Sequence, residues 1–178
     1  MTGQINRIVF RMTVGSAMLG GIVLVLLILM TCLSITGRAL VPLGLGPVPG
    51  DFELVEAGIA FAIFAFLPLC QVQAGHATVD IFTSGLGLRA NRILLAVWEL
   101  LFAAVMIFIA WRLYEGMLGK LKNGETSMFL QFRVWWAYAA CMVPAVIGAL
   151  TGLWSAADRV VAALTGRETR PALGDAKH

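Results

Sequence analysis

The residues able to do chemistry in this sequence are few, and most are carboxylates. Asp51, Glu53 and Glu56 crowd the start of the stretch GDFELVEAGIAFAIFAF at 50–66, Glu99 stands alone in an apolar run, and His76 and Asp80 lie four apart in GHATVD. An ionisable group inside an apolar segment costs several kcal/mol unless it is paired or hydrated, which makes it a functional candidate by default. Glu99 therefore has two readings: an ion or proton ligand, or a structural carboxylate reaching Arg92 or an arginine at the same end such as Arg159. His76 and Asp80, four apart beyond the second helix, could contribute to a metal site, but such a site needs at least one more ligand. The only other histidine is His178, so a hydrogen bond within the pair or to a partner subunit is the expected role. A haem would require axial ligands within the apolar segments, and they contain no histidine. Cys32, Cys70 and Cys141 fall one per apolar segment with no C-x-x-C pair, which argues against thiol–disulfide chemistry. With no phosphate loop, nucleophile motif or carboxylate dyad, the chain is expected to be neither an enzyme nor the holder of a metal or cofactor.

The elements that position these residues follow from composition. Of 178 residues 60% are hydrophobic and 13% charged, with a mean hydropathy of +0.88. Soluble domains are about half apolar and about a quarter charged. A bilayer core takes about 20 apolar residues per helix, and four stretches are long enough: Val14–Thr36, Phe52–Leu69, Ile93–Tyr114 and Trp135–Ala157. The expected fold is an all-α integral membrane protein with four transmembrane helices, forming one domain over 1–165. Interfacial helical segments are expected at the N-terminus, where INRIVFRM sets Ile5, Ile8, Val9 and Met12 against Arg7 and Arg11, and after the second helix in TVDIFTSGLGLRANR. The polar segment 166–178 reads as a disordered tail. The first span is too long for a signal peptide and lacks a small-x-small cleavage site, so it is expected to be retained. A net charge of +3 arises from basic residues scattered at helix ends, without the clustered stripe a nucleic acid requires.

The 13 basic residues set the topology. Arg7, Arg11, Arg89, Arg92, Arg159, Arg167, Arg170 and Lys177 fall on one side, and Arg38, Arg112, Lys120, Lys122 and Arg133 on the other. The excess predicts both termini in the cytoplasm. Arg38 then closes the first helix on the outer side, where the three carboxylates open the second. Glu53 and Glu56 share a face, so a hairpin is expected to pair one of them with Arg38. The acids also sit at the positive end of the helix dipole, and Asp51, following the PLGLGPVPG connector, is a candidate N-cap. Pro68 is expected to bend or end the second helix and Pro144 to interrupt the fourth. Helix packing explains Gly15, Gly20 and Gly21, and Gly148-x-x-x-Gly152 is a motif for close helix contact. Trp135, Trp136 and Tyr138 fit an aromatic belt at the outer interface.

An arginine closing the first helix, a glutamate opening the second, G-H-x-x-x-D just after it, and a fourth helix entered through TSMFLQFRVWWAYAACMVP together resemble the small, DctQ-like membrane subunit of tripartite ATP-independent periplasmic (TRAP) transporters. The similarity runs from about Arg38 to Pro144. It departs where Phe52 precedes Glu53 in place of a second acid, where Phe66, Leu67 and Pro68 replace a mid-helix glycine, and where LQFRVWW lacks a proline. The resemblance marks Arg38, Glu53, His76 and Asp80 as the family's recurring polar positions. It implies a multi-pass subunit of the bacterial inner membrane serving a sodium-coupled importer of organic acids. Its partners would be a periplasmic solute-binding protein and a large multi-span subunit carrying the substrate and sodium sites. A stand-alone four-helix carrier acting as a homo-oligomer is the alternative, but four-span exporters of that kind need a carboxylate in the first helix, and this one has none. A respiratory anchor would need histidines or paired cysteines in its spans.

Overall fold

The computed structural model of the chain describes residues 2–72 and 88–165. His76, Asp80, most of the second interfacial segment and the tail 166–178 lie outside the described residues. Four helices account for nearly all of the rest: α1 (Thr2–Ala39), α2 (Asp51–Val72), α3 (Leu88–Asn123) and α4 (Trp135–Thr165), with a short 3₁₀ turn at Val41–Leu43. All four are long and apolar enough to cross a membrane. The N-terminal amphipathic stretch is not a separate helix but the first turns of α1, whose 38 residues extend about 57 Å at about 1.5 Å per residue.

The helices pack in the order α1–α2–α4–α3. α1 lies against α2, α2 against α4, and α4 against α3, with a light contact between α1 and α4. Among the described residues α2 and α3 make no close backbone approach. Burial follows this order. In its most apolar stretch α4, in the middle, is 39% buried and α1, at the edge, only 11%.

Small residues set the close contacts, because in a membrane helices associate through packing and hydrogen bonds rather than by escaping water. On α1 the stripe Thr13, Ser16, Ala17 and Gly20 is buried. A Cβ at Gly20 would stand 2.8 Å from that of Ala65, and one at Gly58 would stand 2.7 Å from Leu27 Cδ1. Gly15 and Gly21 face open space, so packing accounts for Gly20 alone of the three. Gly148 and Gly152 do mark a contact. A Cβ at Gly148 would meet Met106 Cε at 2.7 Å and Pro68 Cγ at 3.6 Å, and one at Gly152 would meet Ala103 Cα at 3.4 Å. Gly148 is thus the meeting point of α2, α3 and α4.

Neither proline ends its helix. α2 continues one turn beyond Pro68 to Val72, and Pro144 lies inside α4. Pro68 leaves the carbonyl of Phe64 without its helical donor, and at the next carbonyl, that of Ala65, the buried Ser16 hydroxyl of α1 donates at 3.0 Å. α3 also outruns its expected end at Tyr114, reaching Asn123, because its last turns lie against α4, with Gly116 under the ring of Tyr138.

Candidate functional site

Polar side chains gather at the two ends of the bundle. At the end carrying the α1–α2 and α3–α4 connections, α2 is preceded by Gly50, whose φ of +72° favours glycine. Its carbonyl accepts the Leu54 N–H at 3.2 Å. Asp51 follows as the first residue inside the helix rather than as its expected N-cap. One carboxylate oxygen accepts the Phe52 N–H at 2.7 Å and the other accepts the hydroxyl of Ser34, a buried residue of α1. The same hydroxyl accepts the Val48 N–H at 3.3 Å. Gly37 permits this fold-back, since a Cβ there would fall 2.2 Å from the carbonyl oxygen of Gly46.

The expected pairing of Arg38 with Glu53 or Glu56 is replaced by another. Arg38 lies 3.9 Å from Asp51, with its own side chain 68% exposed, a loose and solvated contact of the kind that contributes little. Glu56 is exposed. Glu53 is buried and turned the other way, toward the loop between α3 and α4. Its two oxygens accept the backbone N–H groups of Phe129 at 2.8 Å and Leu130 at 3.0 Å. That loop is a compact hairpin: Ser127 N–H donates to Phe132 O at 2.9 Å, Val134 N–H to Glu125 O at 3.1 Å, and Thr126 bridges Arg133. Gln131 sits at a φ of +55°. Leu130 packs over Gly50, where a Cβ would approach Leu130 Cγ to 2.5 Å. At the loop base the Lys120 ammonium donates to Glu125 and, together with Asn123, holds its carboxyl below the usual range.

At the opposite end Glu99 joins three helices. Arg159 Nε of α4 donates to Glu99 Oε1 at 3.1 Å, and the amide of Gln71, on α2, donates to Glu99 Oε2. The Arg159 and Glu99 side chains are 13% and 12% exposed. Of the arginines expected as partners of Glu99, the structure brings Arg159 to it. The side chain of Arg92 lies outside the described residues. Gln71 and the loop amides of 129 and 130 were not singled out from the sequence. A glutamine at the end of an apolar span is a readable signal, whereas a backbone amide has none. Among the described residues no cluster of three or more metal-ligating side chains occurs.

Four membrane-length helices, with Glu99 tying three of them together and Glu53 tying α2 to the α3–α4 loop, define a multi-pass integral membrane protein. The chain belongs to the family described as tripartite ATP-independent periplasmic transporters, DctQ component, whose model matches residues 27–172. No curated protein and no solved structure matches it. It is accordingly the small membrane component of a TRAP transporter, a non-enzymatic part of a periplasmic-binding transport system of the inner membrane. Family membership implies the other components of a tripartite assembly.

Proposed function

We propose that this chain is the fixed scaffold of a sodium-coupled TRAP importer of an organic acid. A periplasmic solute-binding protein delivers the substrate, and a large multi-span subunit carries the substrate and sodium sites. Both termini of the small subunit face the cytoplasm, which places the Glu53 cluster at the periplasmic end and the Glu99 cluster, with His76 and Asp80 nearby in sequence, at the cytoplasmic end. Arg38, Asp51, Glu53 and Glu56 then act as rim anchors.

The observation that carries this reading is the use to which the buried acids are put. Glu53 has both oxygens on the amides of Phe129 and Leu130, and Glu99 has one on Arg159 and one on Gln71. Alternating access needs one body to move against another, and a wall whose polar groups tie its own helices together suits the stationary body.

Extraction of the tagged chain from its native membranes in mild detergent, followed by mass spectrometry, tests the reading. Recovery of a large multi-span protein in near-equal amount, and sodium-gradient-dependent uptake when the pair is reconstituted with its binding protein, is the expected result. Isolation of the chain alone or as a homo-oligomer would refute the scaffold role.

A further inference from the structure

Arg38, Arg112, Lys120 and Arg159 are each paired with a carboxylate. Arg7 and Arg11, one turn apart on α1 and both exposed, have no such partner among the described residues. They stand 31 and 27 residues before Arg38, about 46 and about 40 Å along the helix at about 1.5 Å per residue. A bilayer measures about 40–45 Å with its headgroups. With Arg38 in one headgroup layer, the two guanidiniums fall in the other.

Further along the same helix is a groove of about 360 Å³ lined by Met18, Gly21, Ile22, Val25 and Leu26. Gly21 makes it, because a Cβ there would have nothing within 4 Å and the helix surface is notched between larger neighbours. An α-helix turns about 100° per residue, which places Arg7, Arg11, Met18, Ile22 and Val25 within about 60° of one another, with Gly21 and Leu26 at the margins of that face. The buried Thr13, Ser16, Ala17 and Gly20 take the opposite side, toward α2. From Arg11 to Gly21 the helix rises about 15 Å. One leaflet has that depth, half of an apolar layer about 30 Å thick. Charge and groove therefore follow each other in the order of a single phospholipid, headgroup first and acyl chain beneath. The charge also selects among lipids. A zwitterionic headgroup carries an ammonium that already offsets its phosphate, whereas an anionic one leaves a charge for the guanidiniums, which match phosphate bidentately.

We infer that this face of α1 binds one anionic phospholipid of the leaflet at the N-terminal end, with its phosphate at Arg7 and Arg11 and an acyl chain in the Gly21 groove. The site requires only that α1 spans the membrane and is independent of the scaffold reading. The test is native mass spectrometry of the full chain in detergent, titrated with phosphatidylglycerol or with phosphatidylcholine. Tighter retention of phosphatidylglycerol is expected. Arg7→Gln/Arg11→Gln should lower that retention on the order of ten-fold, and Arg7→Lys/Arg11→Lys by less, with the melting of the chain unchanged in both. Gly21→Leu, whose side chain meets nothing in the fold, should weaken retention of both lipids several-fold and leave the preference between them intact. Equal retention of the two lipids by the unsubstituted chain, or no loss in Arg7→Gln/Arg11→Gln, would overturn the site, and no loss in Gly21→Leu would remove the groove from it. In native membranes a benzoylphenylalanine at Ile22 is expected to form adducts with lipid. Adducts with protein instead, whether another subunit or a second copy of this chain, would show that lipid does not cover this face.

Discussion

Glu53 and Glu99 are both largely buried carboxylates, at opposite ends of one molecule, and they are stabilised in different ways. Glu99 is met by a charge and an amide on side chains from two other helices. Glu53 is met by two backbone N–H groups of a loop. The first arrangement fixes which residues must be present, because a charge removed from one side leaves its partner uncompensated. The second fixes only where the backbone must run, because any residue but proline offers the N–H. One end of the bundle is thus specified by side-chain identity and the other by loop conformation.

The largest effect that bears on this contrast is expected for Arg159→Leu, which strands the Glu99 carboxylate. It should destabilise the bundle by about 3 kcal/mol, read as a fall in melting temperature in detergent, and Arg159→Leu/Glu99→Leu should recover most of the loss. If the double variant were no better than the single, the pair would not be the unit of stability described. In the same cluster Glu99→Gln, which retains hydrogen bonding, should be tolerated better than Glu99→Leu; equal and complete loss of transport in both, with the complex intact, would instead make Glu99 an ion-coupling residue. Next in size is Gly50→Ala, which places a Cβ both at a positive φ and against Leu130. A loss of about 2 kcal/mol is expected, and wild-type stability would show that the loop does not sit on the start of α2. Glu53→Gln should have a smaller, local effect. Its amide group turns a donor toward one of the two loop N–H groups, so hydrogen exchange at Phe129 and Leu130 should quicken while the helices stay protected. Unchanged exchange there would remove Glu53 as the loop's clamp. The smallest effect is expected from Arg38→Ala. Its contact with Asp51 is solvated, and a clear drop in melting temperature would show that the rim is held by charge after all.

The four spans were legible because the bilayer fixes their length and apolar character. The partner of Glu99 was also within reach of the sequence, since a buried acid needs a base and Arg159 lies at the matching end. Glu53 was not legible in the same way. Its proximity to Arg38 in the hairpin pointed to a salt bridge, but Ser34 and the α2 N-terminus bring Asp51 to that side and turn Glu53 toward the loop.

By itself the sequence determined that this is a four-span membrane protein, that its few charges lie mostly at helix ends, and that it resembles the small TRAP subunit, because hydropathy and the spacing of charges are local properties of the chain. Tertiary structure decided the order α1–α2–α4–α3 and the backbone partners of Glu53. Those depend on which small residues let two helices approach and how far one slides along the other, and helices that are apolar on nearly every face carry little sign of either in their composition.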